Sequence, residues 1–348
     1  GVITGTHVAA TIQARAAVVG HNPGPDDVEA AVRAQLSAAA RRGVKVHMLL
    51  DWLGSRTMDS AMLDAARDAG CDVHLYHPPS WFHLGRLNNR THRKLLVVDG
   101  RIGFTGGVGM GTEWDTGISG LPPWRETHFR AEGPVVAQMQ AVFVDNWIKA
   151  TGRVLHGADY FPTLAPVGDM DAQMFGSSPV GGSESLHLMV LLALTAARKS
   201  IDIANAYFVP DKLTVEALCS AAHRGVRVRI VVPGRYTDAR IGRWAAHGLY
   251  GELLESGILI YEYQPTMMHS KVLVIDEMWT SVGSANFDDR SFRLNDEANL
   301  NVFSEELARE QIRLIDADIL QSRRMALKKW RTRKFGRRVN EKLALLLL

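Results

Sequence analysis

Two histidine–lysine pairs are the residues whose types and spacing could carry out chemistry. His92 is followed by Lys94 and His269 by Lys271, and each pair opens a run of apolar, β-branched residues. Residues two apart on a strand face the same way, so each imidazole and its ammonium group should project from one surface. If two such surfaces meet, two imidazoles and two ammonium groups surround one anion.

Substitution at a phosphodiester uses this set of groups. A neutral imidazole can attack phosphorus to form a covalent phosphohistidine, while a second imidazolium protonates the leaving alkoxide. Lysines supply positive charge where the phosphoryl oxygens concentrate negative charge, so we expect neither a metal nor a cofactor. Each histidine also needs an acceptor that fixes its tautomer. We assign this role to Glu126 and Glu297, which follow the two motifs at comparable distances.

The elements that must position these groups occur twice along the chain. Residues 39–46, 69–78 and 91–107 resemble, in the same order, residues 221–228, 256–265 and 268–284. The matches are a helix end with its glycine and strand, a β-rich run ending at proline, and two strands joined by an Asp-containing turn. This repeat predicts an α/β fold of two tandem, pseudo-twofold-related units with mixed or parallel sheets and the active site at their interface.

The segment between Gly152 and Gly182 is rich in Gly, Pro and Asp and predicts the domain boundary. We expect the first domain at residues 1–165, the second at residues 166–322 and a basic amphipathic helix at residues 323–348.

Two segments of the first half match the second half poorly. The offset between matched segments falls from 187 to 177 residues just before His92, which indicates an inserted loop at residues 80–90. Such a loop could shape a substrate entrance. Residues 16–25 make a poor strand, whereas residues 200–210 make a clear one at the matching place.

An aspartate lies five residues after each lysine, at Asp99 and Asp276. The completed motifs resemble the paired HKD motifs of the phospholipase D superfamily. The stretches HRKLLVVDGRIGFTGG, PWRETHFRAEGPVV, GSANFDDRSFRLNDEANL and YFVPD resemble its bacterial cardiolipin synthase branch. The resemblance covers nearly everything from residue 27 to residue 330. It implies that the two units are α/β/α sandwich domains with mixed sheets and that the two aspartates are structural.

The resemblance also implies a metal-independent phosphatidyl transfer through a phosphatidyl-histidine. By analogy with the family, His92 is the nucleophile and His269 the acid, although the residues themselves leave this order open. Ser284 and Asn286 are implied to assist at the phosphate.

The first half departs from the second at two of these positions. Gly107 stands where the second half has Ser284, and Gly109 stands where it has Asn286, so the expected site is asymmetric. Glu126 stands where many relatives have aspartate, and the additional methylene should preserve its role.

The bulk of the sequence indicates a globular protein. The 348 residues are 46% hydrophobic, and no window approaches the roughly 18 uninterrupted apolar residues of a membrane span or the pattern of a signal peptide. The chain begins at Gly1, which leaves room for a segment upstream. The two cysteines, Cys71 and Cys219, are far apart in apolar contexts, so we expect no disulfide and a reducing compartment.

Basic charge is concentrated at the end of the chain. Residues 322–348 carry a net charge of +9. Because the whole chain carries +3, residues 1–321 carry −6. Apolar residues recur there at intervals of about four, at Trp330, Phe335, Val339 and Leu343. We expect this helix to lie on anionic phospholipids such as phosphatidylglycerol. The protein would then be a peripheral protein at the cytoplasmic face of the cell membrane. The alternative is that its apolar stripe packs on the body.

The other candidate residues have simpler interpretations. Five further histidines without metal-ligand spacing are expected to be surface or packing residues: His74, His77, His83, His128 and His223. Trp114, Trp124 and Trp147 are expected in the core or at the rim of a pocket. The glycines of residues 103–111 lack the Lys-Ser/Thr of a P-loop and indicate tight-turn packing.

The predicted function is that of a cardiolipin synthase-like phosphatidyltransferase acting on phosphatidylglycerol. If water reached the intermediate, the product would be phosphatidic acid and the protein a phospholipase D-type hydrolase. A nuclease of the same superfamily is disfavoured, because residues 1–321 are net acidic and lack an aromatic–basic stripe. A non-catalytic lipid-binding module should have lost one histidine or lysine. We expect neither a nucleic acid nor a protein partner.

Overall fold

The first half forms one mixed sheet. A computed structural model describes residues 7–12, 28–56, 58, 60–78, 89–109, 111–118, 120–179 and 184–347. The elements of the first half are β1 (His7–Ile12), α1 (Val28–Arg41), β2 (Lys45–Asp51), α2 (Ser60–Asp68), β3 (Asp72–Tyr76), β4 (Arg90–Thr91), β5 (Leu95–Val98), β6 (Ile102–Gly106), β7 (His128–Glu132) and α3 (Val135–Thr151). The strand order is β3-β2-β1-β5-β6-β7, with β1, β2 and β3 parallel and the remaining neighbours antiparallel.

The second half repeats this arrangement. Its elements are β8 (Asp171–Ser177), α4 (Ser185–Ala196), β9 (Ser200–Asn205), β10 (Phe208–Val209), α5 (Lys212–His223), β11 (Arg227–Pro233), α6 (Arg240–Glu255), β12 (Leu259–Tyr263), β13 (Lys271–Ile275), β14 (Trp279–Gly283), β15 (Phe287–Asp288), α7 (Asp289–Arg293), β16 (Asn295–Phe303) and α8 (Glu305–Leu320). Strands β12, β11, β9, β13, β14 and β16 follow one another as β3, β2, β1, β5, β6 and β7 do in the first sheet. The predicted pair of α/β/α units with mixed sheets is therefore confirmed.

Each sheet is covered on both faces. In the second half, α4, α5 and α6 pack on one face, and α8 packs on the other. The first sheet has α1 and α2 on one face and α3 on the other. The central strand β13 is buried at every residue, which explains why it reads as a continuous apolar run after Lys271.

The strand missing from the sequence comparison lies earlier than we sought it. Strand β1 occupies in the first sheet the place that β9 occupies in the second, parallel to β2 and antiparallel to β5. The whole of the segment 16–25, which we compared with β9, and most of the proposed inserted loop at residues 80–90 lie outside the described residues. The longer connection between β1 and α1 hid the match, because it changes the offset between the repeats.

Strands also cross between the halves. The short strand β4 of the first half pairs in parallel with β16, so that Arg90 lies opposite Asn295 and Thr91 opposite Asp296. Strand β8 belongs to the second sheet, where it pairs with β16. The proposed boundary at residue 165 falls between α3 and β8 and stays a prediction.

The motif aspartates lie in the turns that follow β5 and β13. Asp99 and Asp276 both have positive φ angles, of 54° and 55°, and the residue after each does as well. Two consecutive residues of this kind form the tight turn that fits the twist of a hairpin. Each aspartate is thus separated from its motif histidine by the length of a strand, β5 or β13. The carboxylates therefore lie away from the histidines that the proposed chemistry uses.

The end of the chain is not the single helix that we predicted. Residues 322–324 form a strand, β17 (Ser322–Arg324), on the edge of the second sheet, and two helices follow, α9 (Leu327–Arg331) and α10 (Phe335–Leu347). Helix α10 packs on α6, with the carboxylate of Glu341 buried between Arg333 and Arg337. Trp330 packs on Gly251 of α6. Part of the basic charge therefore neutralises buried carboxylates of the protein itself.

Asp276 provides a test of the structural role proposed for the motif aspartates. Its carboxylate accepts hydrogen bonds from the backbone N–H groups of Arg198, Lys199 and Ser200, at 2.7 to 3.1 Å. We expect Asp276→Ala to lower the free energy of unfolding by about 2 kcal/mol in urea denaturation. Asp276→Gly is the matched control, since glycine suits the positive φ and lacks the carboxylate. If Asp276→Gly retains wild-type stability, the turn conformation alone matters and the proposed bracing role is wrong.

Candidate active site

The two halves hold each other's motif through the backbone. The N–H of His92 donates to the carbonyl oxygen of Asp296 at 2.8 Å, and the N–H of His269 donates to the carbonyl oxygen of Arg125 at 2.7 Å. Asp296 lies on β16 of the second half, whereas Arg125 lies shortly before β7 of the first. The backbone of each histidine is therefore hydrogen-bonded to a residue of the other half, and that residue directly precedes a glutamate.

The side chains repeat this crossed arrangement. Nδ1 of His92 lies 2.9 and 3.0 Å from the two carboxylate oxygens of Glu297, and Nδ1 of His269 lies 2.6 Å from Oε2 of Glu126. The sequence assigned both glutamates to the histidines without saying which served which. With Nδ1–H donated to a carboxylate, the proton-free nitrogen of each neutral ring is Nε2, the atom needed for attack or proton transfer.

Both glutamates are poised near neutrality. Burial raises the pKa of Glu126 to about 7, against the opposing charge of Lys271. Burial likewise raises the pKa of Glu297 to about 7, although the hydrogen bond from Ser284 and the charge of Lys94 oppose it. Burial therefore holds the pKa of both carboxyl groups above the ordinary value of a glutamate.

The motif lysines lie beside the histidines on the same surface. Nζ of Lys94 donates to the carbonyl oxygen of His92 at 3.1 Å, and Nζ of Lys271 donates to that of His269 at 2.6 Å. Nζ of Lys271 also lies 2.9 and 3.0 Å from the two ring nitrogens of His269. Both lysines are buried, so their charge acts in a setting of low dielectric constant, where it attracts an anion strongly.

Arg93 anchors the first motif, and the sequence analysis did not single it out. It lies between His92 and Lys94 and points to the opposite face, where its guanidinium group is buried. The group donates to the carbonyl oxygens of Glu297 and Ser177, both in the second half, at 3.2 and 2.8 Å. It also donates to three acceptors of α3, namely Val142, Asp145 and Asn146. The signal was a charged residue at the inward position of an otherwise apolar strand, where a charge must be paired.

Ser284 is hydrogen-bonded to the glutamate that binds His92. Its hydroxyl donates to Oε2 of Glu297 at 2.5 Å and accepts the backbone N–H of Ala298 at 3.0 Å. The residue is fully buried. Ser284 therefore orients the glutamate that orients His92, and its proposed role at the substrate phosphate stays a prediction.

Asn286 remains a candidate for contact with the substrate. The residue lines a small cavity beside Lys271, and its Oδ1 is buried without a hydrogen-bond partner among the described residues. Such a group is costly to bury unless something pairs with it in the working state. Its proposed role at the phosphate stays a prediction.

Aromatic rings enclose one histidine of the pair. Trp114 and Trp124 of the first half lie with ring centroids 5.4 Å from that of His269, and the ring of Tyr207 lies 6.0 Å away. The side chain of His269 is 3% exposed, whereas that of His92 is 13% exposed. Trp147, in contrast, is a core residue of α3. The positions of Trp124 and Tyr207 in the WRETH and YFVPD stretches were the available signal.

No metal site accompanies these groups in the part of the chain that the structure describes. There, no cluster of three or more histidine, cysteine, aspartate or glutamate side chains could hold a metal ion.

Sequence comparisons identify the family. The family model described as "Cardiolipin synthase, PLD-like domain" matches residues 26–113 and 190–319, more than half of the chain. Cardiolipin synthase A of Pseudomonas fluorescens is 36% identical over 303 residues, which cover 86% of this chain and 62% of that protein. The Major cardiolipin synthase ClsA of Bacillus subtilis is 33% identical over 329 residues, covering 92% of this chain and 67% of that one. The chain belongs to the cardiolipin synthase family of phospholipase D-like proteins, as its motifs predicted.

Solved structures agree on the fold. Phosphatidylserine synthase of Haemophilus influenzae superposes with a TM-score of 0.70 at 12% identity, covering 99% of this chain and 88% of that one. Polyphosphate kinase of Porphyromonas gingivalis superposes with a TM-score of 0.58 at 13% identity, covering 93% of this chain and 45% of that one. At these identities the likeness shows the shared fold alone. The chain spans about two thirds of the length of the relatives named above.

The contact between Ser284 and Glu297 predicts a shift in pH dependence. The hydroxyl stabilises the ionised carboxylate, so Ser284→Ala should raise the pKa of Glu297 further. Because His92 needs an ionised acceptor, the acid limb of kcat/KM for phosphodiester turnover should move upward by roughly half a unit to one unit, with activity regained at alkaline pH.

Ser281→Ala is the matched control, since this buried hydroxyl accepts a hydrogen bond from the amide of Asn299 and does not contact Glu297. A loss of activity in Ser284→Ala that is equal at every pH would instead indicate a direct contact with the phosphate.

Proposed function

We propose that the protein is a cardiolipin synthase-like phosphatidyltransferase that joins two phosphatidylglycerol molecules. The observation that carries the proposal is the crossed pairing of His92 with Glu297 and of His269 with Glu126, which brings two oriented imidazoles to one interface. Membership of the cardiolipin synthase family supports phospholipids as the substrate class.

In the proposed first step, Nε2 of His92 attacks the phosphorus of one phosphatidylglycerol. The bond from phosphorus to the headgroup oxygen breaks as the new bond from phosphorus to nitrogen forms, and His269 gives its proton to the leaving glycerol. The greater exposure of His92 supports it as the nucleophile, since the attacking nitrogen must reach a bulky phosphodiester. Lys94 and Lys271 stabilise the charge on the phosphoryl oxygens.

In the second step, a hydroxyl of another phosphatidylglycerol attacks the phosphatidyl-histidine. His269, now neutral, takes the hydroxyl proton, the bond from phosphorus to His92 breaks, and cardiolipin leaves. Water could replace the hydroxyl and give phosphatidic acid. The rings of Trp114, Trp124 and Tyr207 around His269 support transfer, because apolar walls limit the access of water to the general base.

Phosphatidylglycerol vesicles in EDTA test the proposal. Wild-type protein should form cardiolipin and release glycerol, and His92→Ala and His269→Ala should each lower the rate by at least about a thousandfold. His223→Ala, at the end of α5, is the control and should keep the wild-type rate.

Wild-type rates in either motif variant would overturn the assignment. Phosphatidic acid as the sole product would make the protein a hydrolase, and cleavage of labelled DNA in place of lipid would make it a nuclease.

We propose that the outer face of α10 contacts the surface of an anionic membrane, which also supplies the substrate. Phe335 is 78% exposed and Leu343 is 53% exposed, on the side of the helix away from α6, and Val339 lies between them. Lys334, Arg338 and Lys342 are exposed on the same helix or just before it. Apolar side chains flanked by basic ones suit the boundary between anionic headgroups and acyl chains.

Peripheral binding at the cytoplasmic face is part of this proposal. The thiols of Cys71 and Cys219 are unpaired, which fits a reducing compartment. Within the described residues, the helices are too short or too polar to cross a bilayer.

Flotation with phosphatidylglycerol vesicles tests the membrane contact. The double variant Phe335→Ser/Leu343→Ser should bind at least about tenfold more weakly, because two apolar anchors are lost. Leu188→Ser/Leu192→Ser removes two equally exposed leucines from α4 and should bind as the wild type does. Weaker binding of the α4 variant alone would place the membrane face elsewhere.

A further inference from the structure

A third histidine stands in line with the first motif. On the neighbouring strands β5 and β6, Leu95 lies opposite Thr105, so the preceding residue, Lys94, lies opposite Gly106. Gly106 in turn lies opposite His128 on β7. Residues opposite one another on neighbouring strands project to the same face of the sheet. Lys94, Gly106 and His128 therefore form one row, on the face that carries the lysine of the site.

The glycine in the middle of the row lets the imidazole lie across it. A Cβ atom added at Gly106 would be 2.7 Å from Cα of His128 and 2.8 Å from its Nδ1, so the ring occupies the space that a side chain would take. His128 also lies two residues after Glu126, which is bound to His269 and directly precedes β7 in the chain. The imidazole of His128 thus belongs to the surface that the substrate would meet, although its sequence context indicated a surface or packing residue.

The corresponding row of the second half is closed by hydrogen bonds. It consists of Lys271, Gly283 and Asn299. The amide of Asn299 donates to Oγ of Ser281 at 3.0 Å and accepts the backbone N–H of Ala285 at 3.2 Å. Asn299 is therefore fully used in holding its own half together.

His128 is not used in this way. Its ring makes no hydrogen bond with another described residue, and the residue is exposed. The protein around the ring and, after it, the charge of Lys94 lower the pKa of His128 to about 4. A neutral imidazole offers one acceptor and one donor nitrogen to a ligand.

The first half also has smaller residues than the second half next to this imidazole. Gly107 and Gly109 stand where the second half carries Ser284 and Asn286, so two polar side chains are missing there. Gly107 lies against the carboxylate of Glu126, where a side chain would collide. In the first half, the polar groups at these positions are therefore the imidazole of His128 and the carboxylate of Glu126, and Glu126 binds His269, the histidine proposed to exchange a proton with the alcohol.

We propose that His128 is a specificity-determining residue that hydrogen-bonds a free hydroxyl of the glycerol headgroup, on the face of the sheet that carries Lys94. This inference rests on the proposed function. A hydroxyl can both donate to and accept from the neutral ring, whereas a headgroup without one leaves the ring unpaired. Selection would follow from that lost hydrogen bond.

A comparison of two lipids tests the inference. Phosphatidylglycerol and phosphatidylethanol have the same anionic phosphodiester, but the ethanol headgroup has no free hydroxyl. Release of glycerol or ethanol in a single turnover requires no acceptor lipid, so it isolates binding and cleavage of the headgroup. We expect His128→Ala to lower the preference for phosphatidylglycerol by about tenfold, with cleavage of phosphatidylethanol unchanged within about twofold.

Two further variants separate this role from a structural one. His128→Asn, which introduces the residue of the second half, retains a hydrogen-bonding group and should keep part of the preference. His156→Ala removes an exposed histidine beyond α3 and should change nothing. An unchanged preference in His128→Ala, or an equal loss with both lipids, overturns the inference.

The wild-type measurements distinguish the two proposals. If the wild type cleaves both lipids equally well, the role of His128 is refuted while the proposed function stands. If the wild type releases neither alcohol, the proposed function itself fails.

Discussion

The structure depends on a crossed contact: each motif histidine is held by a glutamate of the opposite half. Nδ1 of His92 binds Glu297, Nδ1 of His269 binds Glu126, and the backbone N–H of each histidine binds the residue before that glutamate. A buried charged partner left alone costs about 3–5 kcal/mol, so separation of the halves would be strongly unfavourable at these contacts. The same histidine–glutamate contacts therefore stabilise the interface between the halves and orient the two imidazoles for the proposed chemistry.

This constraint explains why other parts of the site take the form they do. Arg93 binds the carbonyl oxygen of Glu297 from the reverse side of the strand, and Ser284 binds its carboxylate, so the acceptor of His92 is fixed from two directions. Burial raises the pKa of both glutamates to about 7. The two halves nevertheless differ around this shared plan. Aromatic rings enclose His269, while Gly106 and Gly107 let the side chains of His128 and Glu126 pack against the first half, so one pseudo-symmetric scaffold can serve two chemically distinct partners, a nucleophile and an acid.

Much of this was predictable, because the repeat and the paired motifs are local in sequence. They indicated the two α/β units, the family and the residues that meet at the interface. Three features were not predictable for physical reasons. The pairing of each histidine with the glutamate of the other half depends on how the two sheets pack. The spacing of these residues along the sequence does not distinguish this pairing from pairing within one half. The strand β1 was hidden by a change in connection length. The tail follows a helical pattern in sequence, yet tertiary contacts with α6 and β12 break it at β17 and use Arg333 and Arg337 to neutralise Glu341.

A crystal structure of the protein with vanadate in the site would test the crossed contact most directly. Vanadate can adopt the five-coordinate geometry of a phosphoryl group under attack. We predict that Nε2 of His92 and Nε2 of His269 lie on opposite sides of one vanadium atom, with Glu297 at Nδ1 of the first histidine and Glu126 at Nδ1 of the second. Vanadate bound by one imidazole with the other turned away, or each glutamate paired with the histidine of its own half, would contradict the account.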